Sequence, residues 1–300
     1  MRDDHLSGAS EILPAALARV LAALQASGPD PTLLGQALRG ILSEQPAMGA
    51  VHRLASRALE VARTAVVSGL GDEEARREVR EAVAAFAADY ETATARVIEL
   101  AAEALVPAEG VVATVSRSSL VERSLVEARR RGKQCGALVS ESRPLGEGRV
   151  LAARLSEAGV PVLFVTDAAQ AGLLRGAAGV LVGSDAVQPR SFLNKVGTAA
   201  VLLAAREVGL PAHALAQEAK FLPAEAALLD LTQRSPAQVW DQPPLGVRVL
   251  NPTFEEVDLR LVLGVATERG VLPPGEAAAV ARETRLDPEL AKGVGNGAFS

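Results

Sequence analysis

Between Val111 and Gln217, short apolar runs alternate with amphipathic stretches. The runs are VVATV (111–115), CGALVS (135–140), VPVLFV (160–165), AGVLVG (178–183) and AHALAQ (212–217). Each is rich in Val, Leu and Ala and apolar on both faces, as expected of strands covered on both sides of a parallel sheet. Between them, SLVERSLVEARRRG (119–132) and GRVLAARLSEAG (148–159) carry the helical period. Strand–helix–strand repetition predicts right-handed crossovers and a doubly wound layer.

Before residue 107 the period is helical throughout. Ile12, Leu13, Leu17, Val20, Leu21 and Leu24 fall on one stripe, with Ser10 as the expected cap. Asp30 followed by Pro31 predicts a second helix start, and QPAMG (45–49) a third. From Asp72 to Leu105 apolar residues recur every three or four positions without an internal Gly or Pro. A helix of that length runs on the order of 50 Å, enough to link two layers. The pattern predicts an α/β protein with an all-helical N-terminal domain over 1–107 and a mostly parallel sheet domain over 108–300.

Composition narrows the chemistry. With 31 Lys and Arg against 36 Asp and Glu, the net charge of −5 offers no broad basic face for nucleic acid. No run of 18 uncharged apolar residues suggests a membrane span, and the polar start MRDDHLSGAS suggests no secretory leader, so a cytoplasmic protein is expected. The single cysteine, Cys135, cannot form an intrachain disulfide, and three scattered histidines show no metal-ligand spacing. No metal or cofactor is expected: neither a dinucleotide nor a triphosphate fingerprint is present.

Polar residues follow the predicted strands: Ser116, Arg117 and Ser118; Ser140, Glu141, Ser142 and Arg143; Thr166 and Asp167; Ser184 and Asp185; Glu218 and Lys220. In a parallel sheet these positions share one edge, where open α/β sheets bind ligands. Only four lysines occur in the chain, and two of them, Lys195 and Lys220, fall in this cluster, as rim cations suited to a phosphate. Asn194 reads as the N-cap of a helix over 194–209, whose N-terminus would add an anion site.

Six segments in order, SESRPLGEG (140–148), GSDAV (183–187), NKVGT (194–198), KFLP (220–223), NPTFEEVD (251–258) and ATERGVLPP (266–274), resemble one superfamily. It contains the regulatory alpha, beta and delta subunits of translation initiation factor 2B together with methylthioribose-1-phosphate and ribose-1,5-bisphosphate isomerases. The resemblance implies a Rossmann-like C-terminal domain, a homodimer, and a phosphorylated ligand such as a sugar phosphate or nucleoside monophosphate. It implies Asp185 as proton donor, and Asn194, Lys195 and Lys220 as substrate-holding residues. Ser116, with Arg117, Ser118 and Ser119 beside it, falls where the isomerases carry a proton-accepting cysteine. Ser7, Gly8 and Ala9 match an N-terminal substrate loop, and Glu141 and Arg143 complete the expected binding set. Because a serine hydroxyl is a poor base without a neighbouring activator, the first reading is an initiation factor 2B alpha-like phosphate-binding protein. The alternative is an aldose–ketose phosphate isomerase that works with Ser116 in the cysteine position.

Overall fold

The computed structural model describes residues 9–226 and 234–291. Four helices come first: α1 (Ala9–Ser27), α2 (Pro31–Glu44), α3 (Gly49–Val67) and α4 (Asp72–Leu100). Asp30 caps α2 as its sequence predicts, its Oδ1 accepting the N–H groups of Thr32 and Leu33 at 2.9 Å. Helix α1 begins at Ala9, so Ser10 lies inside the helix and is not its cap. The apolar stripe of α1 buries Ile12, Leu13, Val20 and Leu24 against α2, α3 and the first half of α4.

Helix α4 serves two cores. Val79, Val83 and Tyr90 pack in the helical layer, whereas Val97, Ile98, Ala101 and Ala102 pack under the sheet. Its last turn widens to a π-helical turn over Ala101–Leu105, and Val106 N–H closes onto Ala101 O. The long Gly- and Pro-free stretch is therefore a strut between the two layers.

The sheet region runs β1 (Glu109–Thr114), α5 (Ser119–Arg130), β2 (Gln134–Ser140), α6 (Glu147–Glu157), β3 (Val162–Val165), α7 (Asp167–Leu173) and β4 (Gly179–Gly183). A hairpin of β5 (Ala186–Val187) and β6 (Ser191–Lys195) follows, then α8 (Thr198–Glu207) and β7 (Ala212–Leu215). Strands β8 (Phe254–Asp258), β9 (Gly264–Thr267) and β10 (Gly270–Leu272) precede α9 (Pro274–Glu283) and α10 (Pro288–Ala291). Seven strands order as β10-β9-β7-β4-β1-β2-β3, all parallel except β10. Along β1 and β4, alternate residues face opposite cores: Ala113, Val180 and Val182 one way, Val112 and Leu181 the other. The fold is the expected α/β architecture, an all-helical N-terminal region followed by a Rossmann-like, mostly parallel sheet.

Two expectations fail here. VPVLFV is not covered on both faces: β3 is the sheet's edge, and Leu163 and Phe164 are 58% and 44% exposed. An apolar run reports that a strand is apolar, not what covers it. Asn194 caps no helix. It lies on β6, which with β5 and β8 forms a separate antiparallel sheet, and α8 starts only at Thr198, after Gly197. Pairing with β8 keeps 194–195 extended, and the first-turn N–H of Ala199 is already taken by Glu255 Oε1 at 2.8 Å.

Candidate active site

Strand β1 pairs with β2 on one side and with β4 on the other, so the direction of winding reverses between β1 and β4. The crevice beyond that reversal is where open α/β sheets hold ligands. A cavity of about 100 Å³ lies there, between the sheet's C-terminal edge and the helical layer. Ser116, Arg117, Ser118 and Ser119 reach it from β1 and the start of α5, and Ser184 and Asp185 from the end of β4. Asn194 and Lys195 come from β6, and Lys220 from the turn after β7. The helical layer contributes Ile12, Met48 and Tyr90.

Close backbone approach shapes this edge. Ser118 caps α5 by accepting Val121 N–H, and Gly183 packs against it; a Cβ on Gly183 would sit 2.6 Å from Ser118 Oγ. Gly148 lies under the end of β2, where a Cβ would be 1.8 Å from Ser140 O. Ser116 and Ser142 both adopt positive φ, 63° and 59°, and Ser142 Oγ accepts Ser116 N–H at 2.9 Å. Such non-glycine residues are held by their surroundings and cluster at functional sites.

Asp185 ties the two layers together. Its N–H donates to Leu193 O, and its carbonyl accepts Gly49 N–H from the first residue of α3 at 2.8 Å. Gly49 also lies so close to the Lys220 backbone that a Cβ there would stand 2.6 Å from Lys220 O. Desolvation pushes the Asp185 carboxyl above the usual carboxylate range, and the charges of Lys220 and Lys195 only partly oppose it. The same desolvation holds the Lys220 ammonium below its ordinary range against the pull of Asp185.

The two lysines are buried and are not rim cations. Lys195, 3% exposed, donates to Glu147 Oε1 at 2.6 Å; Lys220, 4% exposed, donates to Ser184 O at 2.7 Å. Asn194 donates to Thr198 Oγ1. Arg117 points its Nε toward Glu122, 3.9 Å away. Glu147 Oε2, Gln217 Oε1 and Thr253 Oγ1 line the same cavity, and each is a buried oxygen with no hydrogen-bond partner among the described residues. Three such acceptors are a standing demand for donors such as sugar hydroxyls.

Glu141 and Arg143 do not join this set. Glu141 accepts from Arg149, and Arg143 is exposed, its backbone N–H donating to Asp167. Asp167 takes the N–H groups of both Ser142 and Arg143 at 2.8 Å, so these polar positions brace the β2–α6 loop. Ser7 and Gly8 lie outside the described residues; Ala9 opens α1, and Ile12 three residues on reaches the cavity. Sequence reasoning missed Glu147, Gln217 and Tyr90. Glu147 stood inside the SESRPLGEG segment, and its buried partner Lys195 is the signal that would have singled it out. Among the described residues no three His, Cys, Asp or Glu groups converge to hold a metal ion.

The family model of the Initiation factor 2 subunit family matches residues 7–274, nearly the whole of this architecture. The chain belongs to that family. Within it, a ribose 1,5-bisphosphate isomerase of Haloferax volcanii is 38% identical over 159 residues, about half of either chain (51% of this one, 49% of that one). The corresponding protein of Thermococcus kodakarensis is 29% identical over 224 residues, covering 72% of this chain and 69% of its own. Among solved structures, translation initiation factor eIF-2B of Pyrococcus horikoshii OT3 superposes with a TM-score of 0.76 at 24% identity, covering 91% and 94% of the two chains. That likeness speaks for the shared fold. No helix of the described residues is long and apolar enough to cross a membrane.

Proposed function

We propose that this family member is an aldose–ketose isomerase acting on a pentose 1-phosphate or 1,5-bisphosphate. The observation that carries the reading is Asp185, a desolvated carboxyl facing the cavity between two buried lysines. Isomerisation moves a proton between adjacent carbons and protonates the departing ring oxygen. Both steps need positioned acids and bases of matched strength. A carboxyl held toward its protonated form suits the donor role. Curated relatives named as isomerases of ribose 1,5-bisphosphate and of 5-deoxyribose 1-phosphate support the reaction class.

Both lysines already face carboxylates, so in this reading they hold sugar oxygens. The phosphate goes to the first turn of α5, where Ser118 and Ser119 present backbone N–H groups beside Arg117. The exposed Leu163 and Phe164 of edge strand β3 are the place for a second copy in a homodimer. Light scattering of the 31.0 kDa chain tests that last point.

The assay is turnover of ribose 1,5-bisphosphate, methylthioribose 1-phosphate and 5-deoxyribose 1-phosphate, followed by NMR. The ketose phosphate is expected from wild type and not from Asp185→Asn. Ser116 favours a second reading, a binding protein with no turnover, because its hydroxyl is no substitute for a thiolate. Stabilisation by sugar phosphates or nucleoside monophosphates, with no product from any of them, decides for it.

A further inference from the structure

Resting on the isomerase reading, we propose that Glu147 is the proton acceptor of this site. Two carboxylic acids line the cavity among the described residues, Glu147 and Asp185. Glu147 is 7% exposed and opens α6 directly after the braced β2–α6 loop. Its Oε1 is fixed by Lys195 Nζ at 2.6 Å, its Oε2 is buried with no hydrogen-bond partner among the described residues, and the residue lines the cavity. One oxygen anchored and the other left without a partner, on a residue that lines the cavity, is the geometry of a positioned base. The short contact to the Lys195 ammonium fixes where that carboxyl group sits.

Other groups do not fill the role. Ser116 offers a neutral hydroxyl with no histidine lining the cavity beside it. His52 is buried in α3 with its ring nitrogen on Pro46 O. Cys135 is buried at the start of β2 with its thiol directed at Leu125 O. Burial and the Asp185 charge push the Tyr90 phenol above its ordinary range. The two carboxyls differ in surroundings, one paired with an ammonium and one desolvated, and such divergence separates base from acid.

The step balances. Glu147 takes the proton from C2 of the aldose 1-phosphate, and that C–H electron pair becomes the C1=C2 double bond. The C1–O4 bond breaks, and O4 takes the Asp185 proton. The enol then ketonises: its C2 hydroxyl proton passes to the Asp185 carboxylate, and C1 takes the proton back from Glu147. Both groups return to their starting forms, no oxidant or reductant enters, and the product is the ketose 1-phosphate.

The test uses the full chain with ribose 1,5-bisphosphate and 5-deoxyribose 1-phosphate. Glu147→Gln is expected to lower kcat by roughly a hundredfold or more, the usual loss of a general base, with KM and ligand-induced thermal stabilisation kept. Glu147→Asp retains the charge and is expected to recover part of kcat with an unchanged acid limb of the pH profile. In D2O, wild type is expected to carry part of the C2 hydrogen to C1 of the ketose, because one group removes and returns it, a readout that needs no variant to fold. Glu147→Gln within about threefold of wild type, below the smallest loss expected of a base, overturns the assignment. So does loss of turnover in Ser116→Ala while Glu147→Gln stays active. Wild type inactive on every sugar phosphate overturns the isomerase reading and the assignment with it, whereas an active wild type beside an active Glu147→Gln overturns the assignment alone.

Discussion

Lys195 on β6 and Glu147 at the head of α6 meet in a buried ion pair, Nζ to Oε1 at 2.6 Å, with 3% and 10% of their side chains exposed. A pair so far from water is costly to form, and costlier to break on one side only. Lys195→Met should therefore lower unfolding stability by about 3–5 kcal/mol, the usual result of stranding a buried charge. The double variant Lys195→Met with Glu147→Gln should recover most of that loss. Urea titrations of the four proteins complete the cycle; additive losses would show that the two side chains do not depend on each other.

Gly49 is where the helical layer touches the site. Its N–H reaches Asp185 O at 2.8 Å, and a Cβ would lie 2.6 Å from Lys220 O, a backbone atom that cannot step aside. Gly49→Ala is expected to cost about 1–3 kcal/mol, as overpacking does, and to weaken sugar-phosphate binding by moving α3 off Asp185. Gly40→Ala, where nothing lies within 4 Å of the added methyl, is the matched control. Equal melting temperatures for the two variants would contradict the contact.

His52 predicts an acid limb of stability. Burial lowers its pKa from 6.5 to about 4, against a weaker opposing bond to Pro46 O. The folded state thus refuses a proton that the unfolded state accepts below pH 6.5. Stability present at neutral pH is lost as pH falls through that window, by about 3 kcal/mol at the lower end. His52→Gln keeps a donor toward Pro46 O and should flatten this limb between pH 6.5 and 4. A denaturation midpoint with the same slope in both proteins would remove His52 as its source.

Gly183 should tolerate no side chain. An added Cβ would come within 2.8 Å of Ser118 Cβ as well as 2.6 Å of its Oγ, so rotating the hydroxyl does not relieve the overlap. Gly183→Ala is expected to destabilise by about 1–3 kcal/mol and to displace the cap of α5. Combining it with Ser118→Gly should restore stability, measured as the thermal midpoint, but not phosphate affinity.

The elements were legible because periodicity is local. The continuous apolar runs of β1, β2, β4 and β7 and the 3.6-residue patterns of α1 to α5 are set by which faces each chain segment must bury, and the Asp30 cap and the Gly- and Pro-free run of α4 are equally local. The gathering of Ser116, Asp185 and Lys220 at one edge also followed from the chain, because the parallel strands β1, β4 and β7 all end on the same side, whereas Lys195 arrives from β6 of the separate antiparallel sheet. Where neighbours decide, the sequence was silent or misleading. Leu163 and Phe164 look like core, yet among the described residues no further strand lies beyond β3. Asn194 looks like a helix cap, yet pairing with Glu255 on β8, distant in the chain, holds it in a strand. Glu141 and Arg143 look like ligand groups, yet Asp167 draws their loop away to brace it. The chain by itself thus determined the doubly wound layer and the edge at which its parallel strands end. Only tertiary structure paired Glu147 with Lys195, left its second oxygen buried without a partner among the described residues, and sank Lys220 beside Asp185, since burial and partnership are properties of what surrounds a residue and not of its place in the sequence.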